Sequence, residues 1–304
     1  MKSIVYHNIK SYDKNYKYNN YLDSKTFEKQ IHFLKKKYNL FDCRLLFNKN
    51  FKYDQNNIFL TFDDSLKNHY EFAYPILKKN GINGIFYIPA FPYINKKILD
   101  VHKIHLILSK YKSNIVYNFL TNYIKEKKIT VNTKIKYLKN IYHNQNNQSI
   151  SQKIKILLNY SIDKKLRNYI VSLVFNKFFP DFNEKEFVKN YYLSEHEIEK
   201  MSKYMILGSH TFSHKLLDEL NAEDAEKEIE MGIKFIEKFT DLKTFSYPFG
   251  FKGSFKKLHK HILKKNRITF SVSVANKKIT KKNWILDKQD IPRIDCNYIN
   301  FSNI

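Results

Sequence analysis

Two carboxylates and two histidines, far apart in the chain, carry the chemistry this sequence could do. Asp63 and Asp64 stand side by side at the end of Ile58-Phe59-Leu60-Thr61-Phe62, an apolar run that reads as a buried strand. Adjacent carboxylates at a strand end repel each other unless a cation or a proton resolves the repulsion. A metal ion held by one of them, with the other left to take a proton, is the simplest resolution. The plainer alternative is that Asp64 or Ser65 caps a helix starting at Leu66, and the pair by itself favours that cap. The balance changes downstream. His210 and His214 have a spacing that puts both imidazoles on one side of a helix, and a tight loop converges them equally well. In a chain with 11 histidines such a pair alone is weak evidence. Here it follows a strand, sits among hydroxyl residues, and shares a chain with Asp63-Asp64. Two histidines and one carboxylate make a three-ligand set for a catalytic Zn²⁺-type ion, with a fourth position left for water.

The elements around these residues alternate. Short strands are expected at Ile4–Tyr6, near Cys43–Phe47, at the run before Asp63, and at Ile85-Phe86-Tyr87-Ile88-Pro89. Helices are expected at Thr26–Tyr38, with Phe27, Ile31, Phe33 and Leu34 on its apolar face, and from Leu66 to Lys79. From Leu99 to Lys189 glycine is absent and only helical spacing is seen, at Lys103–Leu108, Ile115–Ile124, Ile135–Tyr142, Ile154–Tyr160 and Leu166–Phe175. His102, His105 and His143 in this stretch lack acidic partners at ligand spacing. The alternation then resumes: helix Glu195–Lys203, strand Tyr204–Gly208, and an acidic amphipathic helix from Ala222 to Phe239 capped by Asn221. Strand Thr244–Tyr247, a basic helix over 254–265, strand Ile268–Val274 and the closing Ile291–Cys296 complete it. Alternating strands and helices predict an α/β architecture with parallel strands.

At 304 residues, 43% hydrophobic and 16% aromatic, the chain can bury a large core. The net charge of +25 would suggest nucleic acid or an anionic surface, but the lysines are scattered and no aromatic-basic recognition motif accompanies them. Specific nucleic-acid binding is therefore not expected. Two distant cysteines, Cys43 and Cys296, exclude a disulfide framework or a zinc knuckle. Met1 to His7 reaches polar residues before a signal-peptide core could form, and no apolar run approaches the ~18 residues of a membrane span. The expected location is cytoplasmic, with peripheral contact at the inner membrane face through the basic surface.

The motifs resemble those of the polysaccharide deacetylases, the NodB-homology domain of carbohydrate esterase family 4. Thr61-Phe62-Asp63-Asp64 matches the first motif and Ser209-His210-Thr211-Phe212-Ser213-His214 the second. Phe245-Ser246-Tyr247-Pro248-Phe249-Gly250 matches a variant of the third, with Tyr6-His7 and Ile291-Pro292-Arg293-Ile294 in support. The resemblance covers residues 1–98 and 191–304, and leaves 99–190 as an all-helical insertion. It implies a distorted, incomplete (β/α) barrel with the site at the C-terminal ends of the strands. It also implies that Asp64, His210 and His214 bind a divalent metal, Zn²⁺ or another first-row ion such as Co²⁺, and that Asp63 is the general base. The backbone N–H of Phe249 would hold the oxyanion, and Tyr247, Pro248 and Phe249 would line the sugar pocket, packing of a strand end being the alternative for the aromatic pair.

Two departures bear on mechanism. Many family members carry an arginine in the third motif, where Ser246 stands; Arg293 is expected to reach the site from a later strand and pair with Asp63, or else to lie on the surface. The family's late Leu-x-x-His is missing, because no histidine follows His261. His259 and His261 read as exposed on the basic helix, which leaves His7 to protonate the leaving amine or contact substrate, unless water does so. The expected reaction is N-deacetylation of an acetamido sugar in an acetylated glycan, or in a lipid- or nucleotide-linked precursor. An O-acetyl ester or non-sugar amide at the same metal site is the alternative chemistry. A non-catalytic carbohydrate-binding protein is the alternative class.

Overall fold

Seven parallel strands form a ring in chain order. The computed structural model describes residues 1–12, 14–16, 21–134 and 149–299. The strands are β1 (Lys2–Tyr6), β2 (Asn57–Phe62), β3 (Ile85–Ile88), β4 (Ile206–Ser209), β5 (Thr244–Ser246), β6 (Phe270–Val274) and β7 (Ile291–Asp295). Each pairs with the next, and β7 pairs back onto β1, with Ile4 opposite Ile294 and Val5 opposite Asp295. The β1–β2 ladder runs from Lys2 opposite Ile58 to Tyr6 opposite Phe62. Seven strands rather than eight make this the distorted, incomplete (β/α) barrel expected.

Strands of a closed parallel barrel are covered on both faces, which is why they read as continuous apolar runs. All six residues of β2 are buried. Successive side chains of β2 go to different layers. Phe62 stacks between Tyr6 and Phe86, with ring centroids 5.4 and 4.4 Å away, and the edge of Phe27 meets Tyr6 at 5.1 Å. Phe59 joins Met1, Ile85, Ile206, Phe270 and Ile291 in a separate apolar cluster. Thr61 instead meets polar groups of the site.

Among the helices of this unit, α1 (Ser24–Lys37) is capped by Asp23, whose carboxylate accepts from the N–H groups of Lys25 and Thr26. It buries Phe27, Ile31 and Leu34, while Phe33 is half-buried. The helix after β2 contains a π turn, His69–Ala73, before α2 (Tyr74–Lys79). Cys43–Phe47, expected as a strand, is a 3-10 helix: Asp42 caps it through the Arg44 N–H, and Cys43 and Leu46, three apart, form its buried face. The strand of that region is Asn39–Leu40, an outer addition beside Asn57 and Ile58.

A second compact unit comprises Tyr12–Asn20 and Lys97–Glu186. Its helices are α3 (Asp100–Lys110), α4 (Ser113–Glu126), α5 (Ile150–Ile156) and α6 (Lys164–Phe178), with α3 packed on α6 and α4 on α5. Their buried faces carry Ile104, Ile107, Val116, Leu120, Ile154, Ile170 and Val174. The helix expected at Ile135–Tyr142 and His143 lie outside the described residues. Another helix, α7, covers Glu184–Tyr191.

Further helices of the barrel unit include α8 (Glu195–Ser202), α9 (Ala222–Ile236), α10 (Lys257–Lys265) and α11 (Lys281–Leu286). Asn221 caps α9 as expected, accepting from the Asp224 N–H at 2.8 Å. Among the described residues, no helix is long and apolar enough to cross a membrane.

Candidate active site

Two strand ends deliver the acidic and imidazole groups. The Asp63 N–H donates to the Tyr6 carbonyl at 3.1 Å, continuing the β1–β2 ladder by one residue. The chain then turns through left-handed backbone at Asp64 (φ 79°) and Ser65 (φ 50°). His210 continues the β3–β4 ladder in the same way, donating its N–H to the Ile88 carbonyl at 3.0 Å. Thr211 (φ 63°) and His214 (φ 58°) also adopt left-handed backbone, and the Thr211 hydroxyl accepts from the His214 N–H at 3.1 Å. For a β-branched residue this conformation is costly and persists only where surrounding contacts fix it.

These turns bring Asp64, His210 and His214 together. Oδ1 of Asp64 lies 3.6 Å from Nε2 of His210 and 3.5 Å from Nε2 of His214. Donor atoms from all three residues lie within 4.8 Å of one another. Tetrahedral ligands at about 2.0–2.1 Å from a zinc ion are about 3.3–3.4 Å apart, so the spacing suits a first-row ion. Nδ1 of His210 faces the Ser246 carbonyl at 2.7 Å. A carbonyl can only accept, so Nδ1 carries the proton and Nε2 keeps its lone pair for a metal.

Asp63 sits beside this set, with Oδ2 3.9 Å from Nε2 of His210. Arg293, fully buried on β7, grips it: Nη1 lies 2.7 Å from Oδ1 and Nη2 2.7 Å from Oδ2. Nη1 also donates to the Thr61 hydroxyl, Nη2 to the Ser246 hydroxyl, and Nε to the Ser273 carbonyl. Every N–H of the guanidinium thus has a protein acceptor, as a buried cation requires. Burial alone would raise the Asp63 pKa; the Arg293 charge and its hydrogen bonds overcome it and bring the value down to about 2.

The family model "Polysaccharide deacetylase" matches residues 173–271, which contain both histidines and the third motif. None of the curated proteins compared with the chain matches it in sequence. The Streptococcus pyogenes deacetylase PplD, solved in complex with acetate, superposes with a TM-score of 0.59 at 13% identity, covering 97% of this chain and 91% of that one. The resemblance to the polysaccharide deacetylases holds. A de-N-acetylase from Aggregatibacter actinomycetemcomitans gives 0.53 at 14% identity, covering 99% of this chain and 97% of that one. A polysaccharide deacetylase from Bacillus cereus gives 0.53 at 16%, with 97% of this chain and 64% of that one covered. The family model spans about a third of the chain, and the superpositions, each below 25% identity, show a shared fold.

Against the polysaccharide deacetylase pattern, the other expected site residues divide. His7 follows β1 directly and its side chain is exposed, while its carbonyl accepts from Nε2 of the buried His69. Phe249 is half-buried, has φ 62°, and places its ring 5.1 Å from that of His214. Of the two roles expected for it, pocket lining or strand-end packing, Tyr247 shows the packing one. It is 1% exposed, stacks on Phe255 with centroids 3.7 Å apart, and donates its hydroxyl to the Gln289 carbonyl. Pro248 is also buried, and its carbonyl accepts from the Gly250 N–H at 2.7 Å. His259 is buried rather than exposed, because Nδ1 accepts from the Lys256 N–H at the start of α10; His261 is exposed. The hydroxyl of Thr61 went unnoticed as a support for Arg293. Its signal was period-two spacing, which puts it on the same side of β2 as Asp63.

Proposed function

We propose that this protein is a metal-dependent deacetylase that hydrolyses the N-acetyl group of an acetamido sugar in a glycan or glycan precursor. The observation that carries the reading is the convergence of Asp64, His210 and His214 beside a buried, ionised Asp63. The donor set suits Zn²⁺ or a similar first-row ion. When bound, such an ion supplies Lewis-acid polarisation of the acetyl carbonyl and acidifies a water molecule. Asp63 accepts the proton of the attacking water at Oδ2, the oxygen that faces His210. Arg293 has no N–H to spare for substrate, so it orients Asp63 and keeps it charged. The Phe249 N–H donates to the oxyanion and its ring borders the sugar. His7, at the open end of β1, hands a proton to the leaving amine.

Water and the acetamide are consumed, and acetate and a free amine are released. That PplD was solved with acetate agrees with this chemistry. The net charge of +25 suits an anionic lipid- or nucleotide-linked sugar. The test is acetate release from N-acetyl against O-acetyl sugar substrates, with metal content measured in parallel. About one ion per chain, lost in His210→Ala, and release from the N-acetyl substrate are expected. Release from O-acetyl substrates alone would make it an esterase, and an ion-free chain that releases nothing would leave a carbohydrate-binding protein.

A further inference from the structure

The two histidines are joined by a loop held from behind by one residue of α9. Glu228 is 5% exposed, an unusual position for a carboxylate. Its Oε2 accepts from the Ser213 N–H at 2.7 Å, and its Oε1 accepts from the Ser213 hydroxyl. Its own carbonyl accepts from the Phe212 N–H at 2.8 Å. Lys215, on the far side of His214, places Nζ 3.3 Å from Oε1. One residue thus engages three consecutive donor groups of the loop and a cation just beyond it.

One helical turn later, Gly232 lets the same helix approach still closer. A Cβ there would lie 2.5 Å from the carbonyl carbon of Thr211 and 2.6 Å from its oxygen. The loop so gripped contains the left-handed residues Thr211 and His214. Left alone, such backbone would relax and move His214 away from Asp64.

We propose that Glu228 is a positioning residue for the metal centre, fixing the 211–214 loop so that His210 and His214 address one ion. The proposal rests on the metal-site reading above. Charge-assisted hydrogen bonds to backbone are suited to this task, and outer partners of ligands commonly set metal affinity. In sequence the only hint is spacing: Ala225, Glu228, Ile229 and Gly232 share the buried face of α9.

The test is Zn²⁺ affinity of the full chain, measured by competition with a chromophoric chelator, together with thermal unfolding of the metal-free protein. Glu228→Ala should weaken Zn²⁺ binding about 10- to 100-fold. Glu228→Gln, which keeps the shape and one acceptor oxygen, should weaken it less and provides the readout if the alanine variant does not fold. Ser213→Ala should weaken binding a few-fold at most in the wild-type background and not at all in Glu228→Ala, because the hydroxyl acts through that carboxylate. Folded Glu228 variants that bind Zn²⁺ as tightly as wild type, with only their unfolding temperature lowered, would overturn the proposal. Wild-type protein that binds no Zn²⁺ would overturn the metal reading and this inference together.

Discussion

Arg293 meets Asp63 end-on, with each terminal guanidinium nitrogen 2.7 Å from a different carboxylate oxygen. The two residues are 230 positions apart in the chain. Ser246 contributes three times. Its hydroxyl accepts from Arg293 and donates to Oδ2 of Asp63, and its carbonyl accepts from His210. The guanidinium comes from β7, and Ser246 on β5 links Asp63 and Arg293 to His210.

Removing that guanidinium should be costly in two ways. Arg293→Ala leaves a buried carboxylate without its counter-charge, an expected loss of about 3–5 kcal/mol in denaturant unfolding. Acetate release should also fall steeply, because Asp63 loses both orientation and charge. Arg293→Lys restores a point charge without the fork and should recover stability better than activity. Full activity in Arg293→Ala would remove the arginine from the mechanism.

Asp63→Asn separates base from ligand. The amide keeps the shape but cannot take up a proton, so kcat should drop about 100- to 10,000-fold. Metal content should stay near that of wild type, in contrast to His210→Ala. An active Asp63→Asn enzyme would place the proton acceptor elsewhere.

Stability should fall as the solution is acidified from neutrality, in two stages. Burial holds the pKa of His69 at about 4, and burial with the Lys256 charge does the same for His259, against 6.5 ordinarily. Between those values the unfolded chain binds protons that the folded chain refuses, so unfolding free energy decreases as pH drops from 6.5 toward 4. For fully buried His69 the loss is on the order of 1–3 kcal/mol. Asp63 follows the same sign lower down: its stabilisation is complete above 3.8 and is lost as pH falls through about 2. Urea titrations of wild type and His69→Phe across pH 4–7 check the first stage, whose slope should flatten in the variant.

Gly232→Ala tests the approach of α9 to the 211–214 loop. In an ordinary helix interior this change stabilises by roughly 0.5–1 kcal/mol. Here the added methyl meets the Thr211 backbone, which cannot swing aside as a side-chain tip would. Destabilisation of about 1–3 kcal/mol is expected instead. A raised unfolding temperature would show that helix and loop are less tightly packed.

His7→Gln should change the basic limb of the pH–rate profile if His7 delivers the amine's proton. Identical profiles for the two proteins would assign that proton to water.

Much of this was legible in the chain before folding. The apolar run ending in two aspartates reads as a covered strand delivering acid to its end, and β2 is that. The His210–His214 spacing and the Asn221 cap depend on neighbours a few residues away, so sequence reports them well. Cys43–Phe47 misled because a short apolar run does not distinguish a strand from a 3-10 turn without knowing what it packs against. His259 misled for a related reason: position in the chain does not state which side of an element meets the core. Tertiary structure alone decided that Arg293 reaches Asp63. Closure of the ring sets β7 beside β1 and β6, and period-two alternation turns Arg293, Thr61 and Ser246 toward the same space. A guanidinium there is buried and must find acceptors, and the carboxylate at the end of β2 supplies two of them.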